Sequence, residues 1–195
     1  SQGDVFNMTG TVGLDSVMYQ GVQLTRVSGP FRVDPRVASF GRWAEPDIAT
    51  GLPTPLVAKV FDGKLTASGK VALGGTKPFM LEAKVRNGNI ATFARDVQLR
   101  GRKVSGRVAG AIQVNGNVAQ GYQSLNGKGV LQLQEADLYE VPLVVALLSL
   151  LKVKRPDRNA FTDVNIAFHV RGDQFLLDQM RFKGDAVTLK GSGWM

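Results

Sequence analysis

Histidine, serine and aspartate are the residue types in this sequence that could carry acid, base or nucleophilic chemistry, but their spacing does not favour it. The single histidine, His169, falls among the polar residues of an alternating stretch, where a surface position is expected. A serine nucleophile needs a histidine and a carboxylate arranged around it. No nucleophile-elbow pattern surrounds Ser105, Ser124 or Ser149. We therefore expect that the protein is not an enzyme.

Metal and phosphate-loop sites are not indicated either. Asp173, Asp178 and Asp185 are spaced across turns, whereas a calcium loop requires closer oxygen ligands. The chain has no cysteine, which excludes disulfides and thiolate metal sites. Gly101 and Gly106 are not followed by the lysine and hydroxyl residue of a phosphate loop. We expect no cofactor and no metal.

The chain is basic, with 24 Lys and Arg against 16 Asp and Glu and a formal net charge of +8. Such a charge attracts phosphates, whether those of nucleic acid or those of lipid headgroups. Single-stranded nucleic acid also requires aromatic residues for base stacking, and Phe93 is the only aromatic residue in the densest basic region. Nucleic acid is therefore not the expected partner, and a basic nucleic-acid-binding domain remains the weakest alternative. The basic residues of this region are Arg95, Arg100, Arg102, Lys103 and Arg107.

The dominant pattern along the chain is alternation of apolar and polar residues, which predicts half-buried strands. In 164–171 the apolar members are Val164, Ile166, Phe168 and Val170. A turn at 172–173, a return strand over 175–182, a turn at 183–185 and a further strand from 186 predict a meander. The same alternation predicts strands over 60–73, 79–85, 91–99, 103–114 and 127–134, with turns at 87–89 and 115–117.

Glycine and proline refine this picture. Glycine followed by alternating apolar residues recurs irregularly, from Gly10, Gly69, Gly110 and Gly129. This is typical either of strands that follow turns or of hairpins that bend at strand glycines. Five of the eight prolines lie in 30–55, which predicts an irregular excursion because proline is excluded from central strands. We predict an N-terminal portion, 1–55, and a β domain, 56–195, as part of a longer chain.

One segment, 142–151, predicts an apolar helix that begins at Pro142. Ten helical residues reach about 15 Å, half the ~30 Å hydrocarbon thickness of a bilayer, so this helix cannot span a membrane. Ser149 is the only polar residue inside this helix, and a helix that is apolar all round must be covered. Three covers remain open: the protein core, lipid held in a groove, or a partner protein.

Residues 125–153 and 160–195 together resemble the C-terminal region of the AsmA-like family. The resemblance is carried by Gly127 and Gly129 in one strand, Pro142 at the start of the apolar helix, and Gly191 and Gly193 in a closing strand. It implies a mainly β fold, a curved antiparallel sheet in the form of an open groove or half-barrel, with one apolar helix around 142–151. Residues 56–120 are similar to the β-rich part that precedes this region, and residues 1–55 show no match.

The resemblance also implies a function and a place in the cell. It indicates a lipid-binding β-groove module of a periplasmic cell-envelope protein, anchored to the inner membrane in the full-length chain, in intermembrane phospholipid transport or outer-membrane biogenesis. The expected partners are a phospholipid or other acyl-chain lipid, the membrane through an anchor outside this sequence, and neighbouring β repeats. A structural β module that assembles with such repeats or with partner proteins is the alternative.

Candidate lipid contacts follow from the apolar positions of the helix and of the strand 164–171. For the basic residues after the helix, compensation of the helix dipole competes with contacts to lipid headgroups. The candidate groove residues are Leu143, Leu147, Leu148, Leu151, Ile166, Phe168 and Val170, and the candidate headgroup residues are Lys152, Lys154, Arg155 and Arg158.

Overall fold

The computed structural model describes residues 6–19, 21–44, 51, 53–96, 105–135, 162–184 and 188–194. Strands dominate these residues, together with one short α-helix, α1 (Ile90–Asp96), and two 3₁₀ segments (Gly41–Trp43 and Val118–Ser124). The strands are β1 (Met8–Tyr19), β2 (Val22–Val33), β3 (Val37–Phe40), β4 (Leu56–Val60), β5 (Gly63–Ala72), β6 (Pro78–Asn89), β7 (Arg107–Asn117), β8 (Asn126–Gln134), β9 (Asp163–Arg171), β10 (Gln174–Lys183) and β11 (Thr188–Trp194).

All eleven strands belong to one antiparallel sheet whose order follows the chain. β3 and β4 occupy the same place in it, since β3 pairs with one half of β2 and of β5, and β4 pairs with the other half of each. They are two pieces of one interrupted strand, and the 3₁₀ segment Gly41–Trp43 follows the first piece directly. The sheet is not closed into a regular barrel, and β1 and β11 are its edges.

The two ends of the sheet differ in their connections. At one end the strands are joined by short turns, such as Gly172–Asp173 between β9 and β10. The other end also has short turns, such as Phe61–Asp62 between β4 and β5. The strands that flank the long connections from β6 to β7 and from β8 to β9 end there too, because the pairing places Asn89, Arg107, Gln134 and Asp163 in one row. We call these the short-turn end and the long-connection end.

The predicted fold class is confirmed: the protein is mainly β, with an open antiparallel sheet. The meander of β9, β10 and β11 follows the predicted strands and the turn at 172–173 closely. The predicted helix at 142–151 lies outside the described residues.

The predicted strand over 91–99 is wrong, because α1 occupies residues 91–96 of it. Asn89 starts this helix: its side-chain oxygen accepts hydrogen bonds from the backbone N–H groups of Ala91 (2.8 Å) and Thr92 (3.3 Å). Ile90 and Ala94, one helical turn apart, are buried. A capped helix with a buried face therefore replaces the alternating pattern.

Three predicted turn or strand boundaries are also wrong. The segment 87–89 stays within β6 as a bulge, with Asn87 at φ 52°, and 115–117 stays within β7. Conversely, the predicted strand 60–73 is broken by a tight hairpin turn, since Phe61 and Asp62 have φ values of 51° and 60°. Positive φ at both turn residues matches the twist of the strands that it joins.

Within the proline-rich stretch 30–55, the described residues up to Trp43 are more regular than predicted. Pro30 lies inside β2, opposite Thr11 of β1. On the other side of β2, Ser28 is paired with β4 and Phe31 with β3. Pro30 itself has no partner in β3 or β4, so it lies beside the gap between the two pieces of the interrupted strand, and proline is tolerated at such breaks in pairing.

Candidate functional site

The pairing register divides the sheet into one face that is apolar throughout and one that is largely polar. On the apolar face, β3 to β10 present only Gly, Ala, Val, Ile, Leu, Met or Phe at consecutive paired positions, and β1 and β2 do so over 8–14 and 27–33. We call this surface the apolar face; across its central strands it consists of Leu65, Ala67, Gly69 and Val71 (β5), Phe79, Leu81, Ala83 and Val85 (β6), Gly110, Ile112 and Val114 (β7), Gly127, Gly129, Leu131 and Leu133 (β8), Val164, Ile166, Phe168 and Val170 (β9) and Phe175, Leu177, Met180 and Phe182 (β10).

Much of the apolar face is accessible to solvent. Most of its side chains in β5 to β10 are only half-buried, and Leu81, Leu14 and Met8 are 36%, 46% and 48% exposed. Within the described residues no second sheet packs on this face, since all strands belong to the single sheet. A continuous apolar surface of this kind is unusual in a monomer and is typical of an interaction site.

Burial on the apolar face is uneven from one end to the other. Val60, Val108, Val164 and Phe182 are at most 5% exposed, and all lie near the long-connection end. There α1 adds its own buried residues, and the ring of Phe93 meets Phe61 edge to face at 5.0 Å. Towards the short-turn end the paired apolar residues are half-buried or exposed. The apolar face is thus closed at one end and open at the other.

Glycines paired with phenylalanines shape this face. In four cross-strand pairs a glycine lies opposite a phenylalanine whose ring lies against the glycine Cα, so that added side-chain atoms would meet the ring. An ideal Cβ at Gly10 would lie 3.1 Å from the Phe31 ring, and one at Gly116 would lie 3.0 Å from the Phe79 ring. The four pairs are Gly10 with Phe31, Gly69 with Phe40, Gly116 with Phe79, and Gly129 with Phe168.

These pairs let large aromatic side chains lie along the sheet instead of standing upright on it. Phe168 also stacks on Phe175 of β10, with ring centroids 4.7 Å apart and planes inclined by 29°. A ring that lies on a glycine leaves a low, smooth apolar surface. Such a surface suits long flexible chains better than it suits the interdigitated packing of a second sheet.

The opposite face carries the charged and polar members of each strand, and we call it the polar face. It contains a cavity of about 820 Å³, here called the polar-face cavity. Its polar lining side chains belong to this face by register: Thr66 pairs with Lys84, Ser68 with Glu82, and Gln113 with Lys128. The full lining is Arg42, Pro53, Pro55, Thr66, Ala67, Ser68, Glu82, Ala83, Lys84, Ala111, Ile112, Gln113, Lys128, Gly129, Val130, Ala167, Phe168 and Asp178.

The 3₁₀ segment Gly41–Trp43 forms one wall of this cavity. Its Arg42 side chain pairs with Glu82, which in turn accepts a hydrogen bond from the Gln113 amide at 2.9 Å. The backbone N–H of Arg42 donates to the buried hydroxyl of Ser68 at 3.1 Å. Arg42 and Lys70 both lie over the Trp43 ring, at 5.0 and 5.8 Å from its centroid. These contacts hold the 3₁₀ segment Gly41–Trp43 against the polar face.

His169 also lies on the polar face, as the sequence predicts, and its Nδ1 contacts a carboxylate oxygen of Asp178 at 2.5 Å. An ionised carboxylate only accepts hydrogen bonds, so the Nδ1 of His169 is the donor. No serine is bonded to this pair in the described residues, and no group of three or more His, Asp or Glu there is placed to hold a metal. Asp178 acts as the partner of a surface histidine.

The structure brings together three of the predicted groove residues, Ile166, Phe168 and Val170, on the apolar face of β9. Phe168 also contributes to the lining of the polar-face cavity, whereas Ile166 and Val170 do not. Leu143, Leu147, Leu148, Leu151, Lys152, Lys154, Arg155 and Arg158 lie outside the described residues.

Sequence reasoning placed the groove on β9 and the helix, and it missed the same face of β5 to β8. The signal was present: 79–85 alternates Phe79, Leu81, Ala83 and Val85 in the same way. Of the predicted basic cluster, Arg95 lies in α1 and Arg107 in β7, and the other members lie outside the described residues.

Comparison with protein-family models, with curated proteins and with solved structures finds no match to this chain. Among the described helices, none has the length and apolar character that crossing a membrane requires.

Proposed function

We propose that the protein binds the acyl chains of phospholipids on its apolar face, as a lipid-binding module of a cell-envelope protein in intermembrane lipid transfer or outer-membrane assembly. The observation that carries this proposal is the continuous apolar face of a single open sheet, most of which is half-buried or exposed. Burying a methylene group is worth about 0.8 kcal/mol, so a chain of a dozen methylenes gains several kcal/mol from such a surface.

The geometry favours a chain over a compact apolar ligand. The four glycine and phenylalanine pairs keep the surface low, and the apolar face runs across the sheet from β1 to β10 without a polar interruption. Because the face is closed by buried residues at the long-connection end, acyl chains enter from the short-turn end. There the headgroup stays in water while the chain lies on the strands.

The resemblance of 125–153 and 160–195 to the AsmA-like C-terminal region supports the same proposal. A periplasmic location, an inner-membrane anchor elsewhere in the full-length protein and contacts of Lys152, Lys154, Arg155 and Arg158 with headgroups are parts of it. The proposed function includes neither an enzymatic activity nor a nucleic-acid partner.

The test uses one charged substitution on each face. Leu81 lies on the apolar face and is 36% exposed, so the lysine of a Leu81→Lys variant can reach water while it places a charge in the path of the chain. Asn115→Lys is the matched control: Asn115 follows Val114, the partner of Leu81, and it is exposed on the polar face. Circular dichroism establishes that both variants fold.

The measurement is mass spectrometry of phospholipid in organic extracts of each purified protein. We expect phospholipid with the wild type and with Asn115→Lys, and an at least tenfold loss with folded Leu81→Lys, which corresponds to about 1.4 kcal/mol. Extracts without phospholipid, or equal retention by folded Leu81→Lys, would overturn the proposal.

The alternative, a structural β module that assembles with further β repeats, is favoured by one observation. Edge strand β1 is twelve residues long and carries exposed Met8, Leu14, Met18 and Tyr19. A long, apolar and unpaired edge is a template for strand addition. Sedimentation velocity distinguishes the two functions: assembly that grows with protein concentration, in material free of phospholipid, supports the module and contradicts the lipid site.

A further inference from the structure

We propose that the polar-face cavity is a second binding site, for a small molecule that combines an apolar body with an anionic group such as a phosphate or carboxylate. This site is distinct from the proposed lipid site, because its polar and charged lining side chains lie on the opposite face of the sheet; Phe168 is the one predicted groove residue that also lines it. Its volume of about 820 Å³ lies within the range of roughly 300–1,000 Å³ that is typical of small-molecule sites.

The charges that line the cavity favour an anion. Arg42 is paired with Glu82, and Asp178 accepts a hydrogen bond from His169. Two further cations, Lys84 and Lys128, line the cavity, and neither forms an ion pair within the part of the chain that the structure describes. Arg42 and Glu82 compensate each other, and the two ammonium groups outnumber the remaining carboxylate, Asp178, so the cavity lining carries an excess of positive charge.

The two lysines flank one strand. Lys84 of β6 is paired with Ala111 of β7, and Lys128 of β8 is paired with Gln113 of the same strand. Both side chains belong to the polar face, so their ammonium groups approach the cavity from opposite sides of β7. A phosphate or carboxylate above β7 can therefore meet two cations at once.

A row of apolar residues beside the lysines forms part of the cavity floor, which is unusual for this face. The row that begins with Lys84 continues through Ala111 and Val130 to Ala167. Val130 lies on this polar face and is 47% exposed, so an apolar side chain is accessible beside the lysines. Pro53 and Pro55 line the same cavity. These small apolar side chains form a surface on which a flat apolar group can lie. Its anionic group then lies above β7, within reach of both lysines.

The probe is 2-naphthyl phosphate, and the controls are inorganic phosphate, which lacks the apolar body, and 2-naphthol, which lacks the charge. Binding is measured by isothermal titration calorimetry on the full chain. We expect saturable binding of 2-naphthyl phosphate and at least tenfold weaker binding of either control, because each control removes one half of the recognition.

Two charge-matched double variants locate the site. Lys84→Gln with Lys128→Gln removes both cavity cations, and Lys64→Gln with Lys183→Gln removes two exposed lysines outside the cavity. We expect the first pair to weaken 2-naphthyl phosphate at least tenfold and the second pair to leave it within about twofold. Both pairs lower the net charge equally, so a nonspecific charge effect would weaken both alike.

Alanine methyl NMR assigns the bound face. In protein labelled with ¹³C at alanine methyls, we expect the probe to shift Ala111 and Ala167, and to leave Ala38 and Ala58 of the apolar face in place. Equal weakening by both double variants, shifts confined to Ala38 and Ala58, equal binding of either control compound, or no saturable binding up to about 1 mM probe would each overturn the proposal. None of these outcomes bears on phospholipid retention by the apolar face.

Discussion

The ring of Phe168 lies directly over Gly129, the residue to which it is paired on the neighbouring strand. A Cβ added at Gly129 would meet the ring at a distance that real Cβ atoms do not show, and it would lie 2.9 Å from the backbone oxygen of Ala111. The glycine is therefore required by the phenylalanine. Three other pairs on the apolar face repeat the arrangement, so it is a property of the sheet and not of one site.

Gly129→Ala should destabilise the protein by about 1–3 kcal/mol, because the added methyl overpacks a position closed by ring and backbone. Gly13→Ala in β1 is the matched control, since a Cβ there meets nothing within 4 Å. Alanine in an extended strand is favoured over glycine by about 0.5–1 kcal/mol, so the control should be neutral or stabilising. Urea unfolding measures both, and equal stability of the two variants would show that the ring moves freely.

The pair should also be coupled in a double-mutant cycle. Phe168→Ala alone loses the stacking on Phe175, but it also frees the space above Gly129. The double variant Gly129→Ala, Phe168→Ala should therefore cost less than the sum of the single variants, by about 1 kcal/mol. Combining Phe168→Ala with Gly13→Ala should be additive within about 0.5 kcal/mol. Additivity in both cycles would contradict the role assigned to the ring.

Asp34 turns the chain between β2 and β3, and its stability contribution should depend on pH. Its Oδ1 accepts hydrogen bonds from the N–H groups of Arg36 (2.8 Å) and Val37 (2.9 Å), which lower the pKa of this carboxyl. A lowered pKa means that the contribution is present above the ordinary value of 3.8 and is lost as the pH falls through the lower, folded-state value.

Asp34→Asn keeps an acceptor but cannot titrate, so the stability gap between wild type and variant should shrink as the solution is acidified below pH 3.8. Asp15→Asn, at an exposed position in β1, is the control for the loss of one carboxylate. Urea unfolding at several acidic pH values, with an NMR titration of the Asp34 carboxyl, makes the measurement. A gap that stays constant across this range, or an NMR pKa at or above 3.8, would contradict the prediction.

Alternation within a strand was sufficient to predict the apolar face of β9, because residues two apart point to the same side. It could not predict that Phe168 lies on Gly129, since this depends on the pairing of two strands that are distant in sequence. The same alternation misled over 91–99, where the Asn89 cap and the buried Ile90 and Ala94 favour a helix. Local periodicity therefore identified the face, whereas register, caps and turns decided its shape.

The polar-face cavity lay beyond sequence reasoning for a related reason. Its wall depends on the contact of Arg42 with Glu82 and on the bond from Arg42 to Ser68, and these residues are brought together only because the strand between β2 and β5 is interrupted. The prolines of 30–55 predicted an irregular excursion, but they did not indicate that Arg42 would pack against Glu82 and Ser68.

Ser68 anchors the wall of the polar-face cavity that Arg42 forms. Ser68 is 3% exposed, and its hydroxyl accepts the backbone N–H of Arg42 at 3.1 Å. Ser68→Ala removes this acceptor and should cost about 1 kcal/mol, because the N–H loses its partner beside the sheet. Ser28→Ala, at an exposed position in β2, should change stability by less than about 0.5 kcal/mol. The decisive readout is hydrogen exchange of the Arg42 amide, which should accelerate in Ser68→Ala and stay unchanged in Ser28→Ala; equal exchange in both would mean that Ser68 does not hold this wall.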